Sequence, residues 1–105
     1  MRGMREAVII GNPASGRVSM RRLKLCAEIL ERGGVRAEIW PTERPEHATE
    51  LATLAGARLV VAAGGDGTIN EVINGLHRDA RLGILPLGTA NVLARELGIP
   101  LSLER

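Results

Sequence analysis

Short apolar runs alternate along this chain with longer stretches in which apolar residues recur every three or four positions. Residues 7–10 form the first run, which stops at Gly11-Asn12-Pro13 and reads as a buried strand. From about residue 18 to 32, Met20, Leu23, Ala27 and Leu30 share one helical face. Gly33-Gly34 then supplies a left-handed helix end. Residues 36–40 predict a second strand, broken by Pro41, and Pro45 suits the first turn of a following helix. In that helix Ala48, Leu51, Ala52 and Ala55 keep the i, i+3, i+4, i+7 spacing, and Gly56 closes it. Residues 59–63 are apolar throughout, as in a strand buried on both faces. Ile69, Val72, Ile73 and Leu76 return to helical spacing, and Thr68 with Glu71 matches a capping box that starts this helix at Thr68. Residues 82–85 predict a fourth strand, and a last short helix runs from about 90 to 97 before Gly98 and Pro100.

Strand–helix alternation of this kind predicts parallel strands joined by right-handed crossovers, with helices on both faces. The expected architecture is a three-layer α/β/α domain with a parallel sheet of about four strands. Three of those strands lead into Gly-rich or Asn-rich loops, at 11–16, 64–67 and 88–91. Open parallel sheets bind ligands at the carboxyl ends of their strands, near a reversal in strand order. An order of 2-1-3-4 would set the three loops side by side in one cleft.

Composition narrows the picture. A chain of 105 residues builds one domain with a single core. With Trp40 as its sole aromatic residue, that core rests on Leu, Ile, Val and Ala, and binding of single-stranded nucleic acid through base stacking is disfavoured. The lone cysteine, Cys26, has no disulfide partner and lies among Leu23, Ala27 and Leu30, as core packing requires. The sequence shows neither a secretory signal nor a membrane-spanning run, which predicts a cytoplasmic location. Arg17, Arg21, Arg22 and Lys24 form a local basic cluster, either a solvated helix face or an edge turned toward phosphate or an acidic membrane surface.

The densest chemistry lies at Gly64-Gly65-Asp66-Gly67-Thr68. Three glycines in four positions leave bare backbone, so N–H groups can approach a phosphate at a helix start. Asp66, the only side chain among them, could hold a divalent metal or accept a proton. This is neither a Walker loop nor a dinucleotide fingerprint. Asn12-Pro13-Ala14-Ser15-Gly16 reads as a generic turn or as a second phosphate-facing loop. Thr89 and Asn91 offer a hydroxyl and an amide beside another helix start, where either could be an N-cap only. His47 and His77 have no partner at metal spacing and read as surface residues, while Glu43, Glu46 and Glu50 read as helix-start charges.

Together these segments resemble the diacylglycerol kinase family, including its bacterial lipid-kinase and sphingosine-kinase-like branches. The resemblance is carried in order by NPASG at 12–16, GGDGTINEVINGL at 64–76 and LGILPLGTANVLARELGIP at 82–100. The GGDGT core is shared with NAD kinases, but INEVINGL and PLGTAN-x-x-A-R-E-L point more narrowly to lipid kinases. The resemblance implies transfer of the ATP γ-phosphoryl group to a lipid hydroxyl, such as that of diacylglycerol, assisted by Mg2+. By that match Asn12, Pro13, Ala14, Ser15 and Gly16, with Gly64, Gly65, Asp66, Gly67, Thr68, Ile69, Asn70 and Glu71, would hold the nucleotide. Thr42 and Thr89 correspond to further nucleotide contacts, and Asp66 would act catalytically through the metal or its water. Bacterial members often carry Asn-Asp-Phe where this chain has Asn91-Val92-Leu93. The family also pairs this domain with a later, mainly β domain that supplies most of the lipid site and the general base. The resemblance therefore implies the nucleotide-binding half of a two-domain kinase, inactive alone, with peripheral membrane contact and self-association through its exposed wall as expectations. A NAD kinase-like fragment and a stand-alone, non-catalytic nucleotide-binding module are the alternatives.

Overall fold

The computed structural model describes residues 5–15 and 18–86; Gly16, Arg17, the loop at 88–91 with Thr89, and the helix predicted at 90–97 lie outside the described residues. Four strands, β1 (Arg5–Gly11), β2 (Val35–Pro41), β3 (Leu59–Gly64) and β4 (Arg81–Pro86), alternate with helices α1 (Met20–Arg32), α2 (His47–Ala55) and α3 (Asp66–Gly75). A single 3-10 turn, Pro13–Ser15, follows β1. The strands form one sheet in the order β2-β1-β3-β4, and every adjacent pair is parallel. Both the parallel arrangement and the 2-1-3-4 order therefore match the expectation.

Helices cover both faces because the strands are apolar on both. Val8 and Ile10 of β1, with Val60 and Ala62 of β3, point to one side, where Ala48, Ala52 and Ala55 of α2 and Ile69 and Val72 of α3 close over them. Ile9, Val61 and Ala63 point to the other, beneath Leu23 and Cys26 of α1. Val8, Ile9 and Ile10 have no solvent exposure, and each such side chain contributes about 1.5–3 kcal/mol of burial. Cys26 is packing, as predicted: burial pushes its thiol up to about 11 and away from reactivity. Arg21 and Lys24 are exposed on α1, with Arg22 half-buried. Among the described residues no helix is long and apolar enough to cross a membrane.

Small residues bring α2 and α3 into close contact. The Thr49 hydroxyl donates to the Glu71 carbonyl at 2.7 Å, and the Thr53 hydroxyl to the Gly75 carbonyl at 3.2 Å. A methyl group at Gly75 would run into the Thr49 carbonyl. The second of these bonds satisfies a carbonyl that the end of α3 leaves without a helical partner.

Three local expectations need correction. α3 starts at Asp66, two residues before Thr68, with Gly65 as its N-cap, so the proposed capping box does not form. The strand runs on to Gly64 and the chain bends at Gly65 to enter the helix at once, which makes Asp66 its first residue. Pro45 lies ahead of α2, in a turn closed by the His47 N–H to the Arg44 carbonyl at 3.1 Å. With Glu46 at φ 66°, ψ 0° in its third position, this is a type II turn. The left-handed end of α1, by contrast, forms as expected, with Gly33 as C-cap and Gly34 next to it at φ +86°. Ile73, counted with the core face, is 45% exposed. It lies about 100° around α3 from the fully buried Val72.

Candidate functional site

The strand register draws the predicted loops to one edge. Pro41, Gly11, Ala63 and Leu85 lie in a single row across the sheet, and Gly64 pairs with Pro86. The turn after β1, residue Thr42 after β2 and the glycine loop after β3 therefore leave the same carboxyl edge. This is where the switch in strand order opens a crevice.

Each segment is shaped by contacts that the edge demands. An added Cβ at Gly11 would stand 2.8 Å from the Ala63 carbonyl oxygen and 3.3 Å from Leu23 Cδ2, so β1 and β3 approach too closely there for any larger residue. The Asn12 side-chain oxygen accepts the Ala14 N–H at 3.0 Å and bends the chain into the 3-10 turn. Thr42 is buried at 9% exposure, and its N–H donates to the Gly11 carbonyl at 2.8 Å, extending the β1–β2 ladder one residue past the strand. At Gly64 a Cβ would meet Thr68 Oγ1 at 2.9 Å, so the Thr68 side chain packs back on the loop instead of capping the helix.

Gly65 and Gly67 differ from these glycines. Among the described residues a Cβ at either would meet nothing within 4 Å, and neither has a positive φ. Both face open space at the start of α3, where the first N–H groups of a helix have no intrahelical acceptor and the dipole is positive. Asp66, between them, is exposed. The edge can accept an anion on bare amides with a carboxylate alongside.

Asn12, Pro13, Ala14, Thr42, Gly64, Gly65, Asp66, Gly67 and Thr68 thus share one edge, and the backbone of Ser15 belongs to the same turn. The Ile69 side chain is 1% exposed in the core, and its N–H is bonded to the Gly65 carbonyl. Asn70 is exposed farther along α3, and Glu71 is half-buried with its carbonyl engaged by Thr49. Gly16 and Thr89 fall outside the described residues, as does the loop at 88–91.

Sequence reasoning overlooked the β2–α2 turn. Glu43 donates its N–H to His47 Nδ1 at 3.0 Å, and Arg44 forms two hydrogen bonds with the Glu50 carboxylate, at 3.0 and 2.8 Å. These hydrogen bonds, more than charge alone, hold the Glu50 carboxyl below its usual range. Pro45 was the available sequence signal, because proline favours the second position of such a turn.

Comparison with known proteins follows the same line. Residues 6–105 match the diacylglycerol kinase catalytic domain family. A diacylglycerol kinase of Bacillus subtilis (strain 168) is 43% identical over 104 residues, which cover 92% of this chain and 34% of the relative. One from Staphylococcus haemolyticus (strain JCSC1435) is 43% identical, over 90% of this chain and 31% of the relative. A crystal structure of a diacylglycerol kinase from Bacillus anthracis str. Sterne superposes with a TM-score of 0.75 at 28% identity, over 95% of this chain and 39% of that one. The chain spans about a third of the length of the curated relatives it matches. A shared overall fold and a family match that begins within β1 and runs to residue 105 together establish that this chain belongs to the diacylglycerol kinase catalytic domain family.

Proposed function

We propose that this chain holds the phosphates of ATP in a kinase that phosphorylates a lipid hydroxyl, such as that of diacylglycerol. The observation that carries this reading is the open space at Gly65 and Gly67. Gly11 and Gly64 are required by their neighbours, but these two are not. Gly67 lies inside a helix, where glycine costs up to about 1 kcal/mol relative to alanine. A residue that weakens its own helix and relieves no contact leaves room for a group from outside the chain. A phosphate suits that space, because bare amides and the helix dipole both favour an anion there.

The Asn12 turn and Thr42 would flank the same phosphates from the β1 side while α3 meets them from the β3 side. Phosphoryl transfer depends chiefly on such positioning and on charge neutralisation. Among the described residues no three His, Cys, Asp or Glu side chains cluster as a metal cage. Magnesium needs none, since one or two carboxylates suffice where phosphates and waters complete its shell. Asp66 fits that requirement. When bound, magnesium would neutralise charge on the transferring phosphoryl group.

The named relatives are about three times as long as this chain, and the acceptor site belongs, in this reading, to the remainder of such a protein. The 105 residues alone should bind nucleotide weakly and make no phosphatidic acid, because in this reading the acceptor is aligned by that remainder. The first test is a titration of the chain with ATP and magnesium, followed through backbone amide resonances. Shifts at Asn12, Thr42, Gly65, Gly67 and Thr68 are expected, with the magnesium-dependent part lost in Asp66→Asn. Shifts confined to the opposite edge, or none, reject the reading. Residues 6–105 can also replace the matching segment of the Bacillus subtilis relative. That chimera should form phosphatidic acid from diacylglycerol, and Asp66→Ala in it should lower the rate by about 10²–10³.

A further inference from the structure

We infer that His47 is a positioning residue, whose imidazole Nδ1 holds the backbone beside Thr42 in the shape that the phosphate-bearing ligand requires. This rests on the proposed reading of the carboxyl edge as a nucleotide cleft. The observation behind it is a turn held more firmly than packing demands. Glu43, Arg44, Pro45 and Glu46 are all exposed, so no buried side chain dictates their path. Their backbone is nevertheless tied at each end. The Thr42 N–H bonds to the Gly11 carbonyl, the Glu43 N–H to His47 Nδ1 at 3.0 Å, and the His47 N–H to the Arg44 carbonyl. Arg44 is clamped on both oxygens of Glu50. Within this frame Glu46 holds φ +66°, the only positive φ of a non-glycine residue among the described residues. Strain of that kind persists where surrounding contacts over-determine it, and it gathers at ligand sites.

Simple bracing of the start of α2 is the competing explanation, and the direction of the bond speaks against it. An N-cap side chain accepts from the N–H groups of the first helical turn. The His47 ring instead reaches back to Glu43, the residue next to Thr42 and outside the helix. Accepting at Nδ1 places the proton of the neutral ring on Nε2. The acceptor position can therefore be tested by chemistry. In His47→Asn the amide oxygen stands as many bonds from the backbone as Nδ1 does, in His47→Gln it is one bond farther, and His47→Ala has no acceptor.

The four proteins, each as the full 105-residue chain, are titrated with ATP and magnesium while backbone amides are observed. Thermal melts confirm that each is folded. His47→Ala and His47→Gln should bind about 3- to 10-fold more weakly, the worth of one hydrogen bond, and His47→Asn should stay near the wild type. Without ligand, the Glu43 amide should be protected from exchange in the wild type and in His47→Asn only. Equal affinity of His47→Ala and the wild type overturns the role of His47, as does equal loss in His47→Asn and His47→Ala. A wild type that shows no ATP-induced shift at residues 65–68 instead overturns the nucleotide reading, and the positioning role falls with it.

Discussion

Gly67→Ala should raise the stability of the fold and lower its affinity for nucleotide in the same molecule. Gly67 is the second residue of α3, and outside its own helix no atom of the described residues lies within 4 Å of the position of its missing Cβ. The new methyl group therefore clashes with none of the described residues. Replacing glycine by alanine in a helix gains up to about 1 kcal/mol, so near the first turn roughly 0.5–1 kcal/mol is expected. For a domain of this size, that is a rise of about 2–8 °C in Tm. The same methyl occupies the space assigned to a phosphate oxygen and holds it away from the helix amides, which should cost about tenfold or more in Kd. Circular dichroism melts and calorimetric or amide-shift titrations with ATP and magnesium measure the two effects on one preparation. Gly67→Ala that binds ATP as the wild type does would refute the argument that this glycine exists for a ligand. Loss of stability would show instead that the fold itself requires it.

Gly11→Ala should do the reverse, losing about 1–3 kcal/mol in urea unfolding, because its Cβ would press on the Ala63 carbonyl oxygen at 2.8 Å; an unchanged midpoint would refute the close approach of β1 and β3. Glu46→Gly should gain about 0.5–1 kcal/mol by relieving a left-handed residue, and a lower Tm would show that the conformation carries no strain. The Cys26 thiol is raised by burial from its ordinary 9.0 to about 11, so the folded state holds that proton more tightly than the unfolded chain does. Its contribution to stability is intact below about pH 9 and is lost as pH rises from about 9 to 11. Cys26→Ala should flatten that part of the stability–pH curve, and an equally steep decline in the variant would rule the thiol out as its cause.

Local pattern was enough for the elements and the family. The apolar run at 59–63 and the spacing of Ala48, Ala52 and Ala55 are read from neighbours in sequence, and the structure places them as a buried strand and a core-facing helix. The 2-1-3-4 order was also legible, since three loops suited to one ligand are best gathered by that arrangement, and the sheet has it. What lies across the fold was not legible. Arg5 and Glu6 look too polar for a strand but join β1 because β2 pairs with them. Thr68 and Glu71 spell a capping box, yet the bend at Gly65 starts α3 earlier and leaves Thr68 against Gly64. In sequence Gly11, Gly64, Gly65 and Gly67 are alike. Only contacts with Ala63, Leu23 and Thr68 separate the two that packing demands from the two that face open space. His47 reads as a surface residue, and it is the path of the turn that carries its ring to the Glu43 amide. Periodicity and turn propensity are properties of adjacent residues, whereas the worth of a missing side chain or a ring nitrogen depends on which distant backbone the fold brings to it.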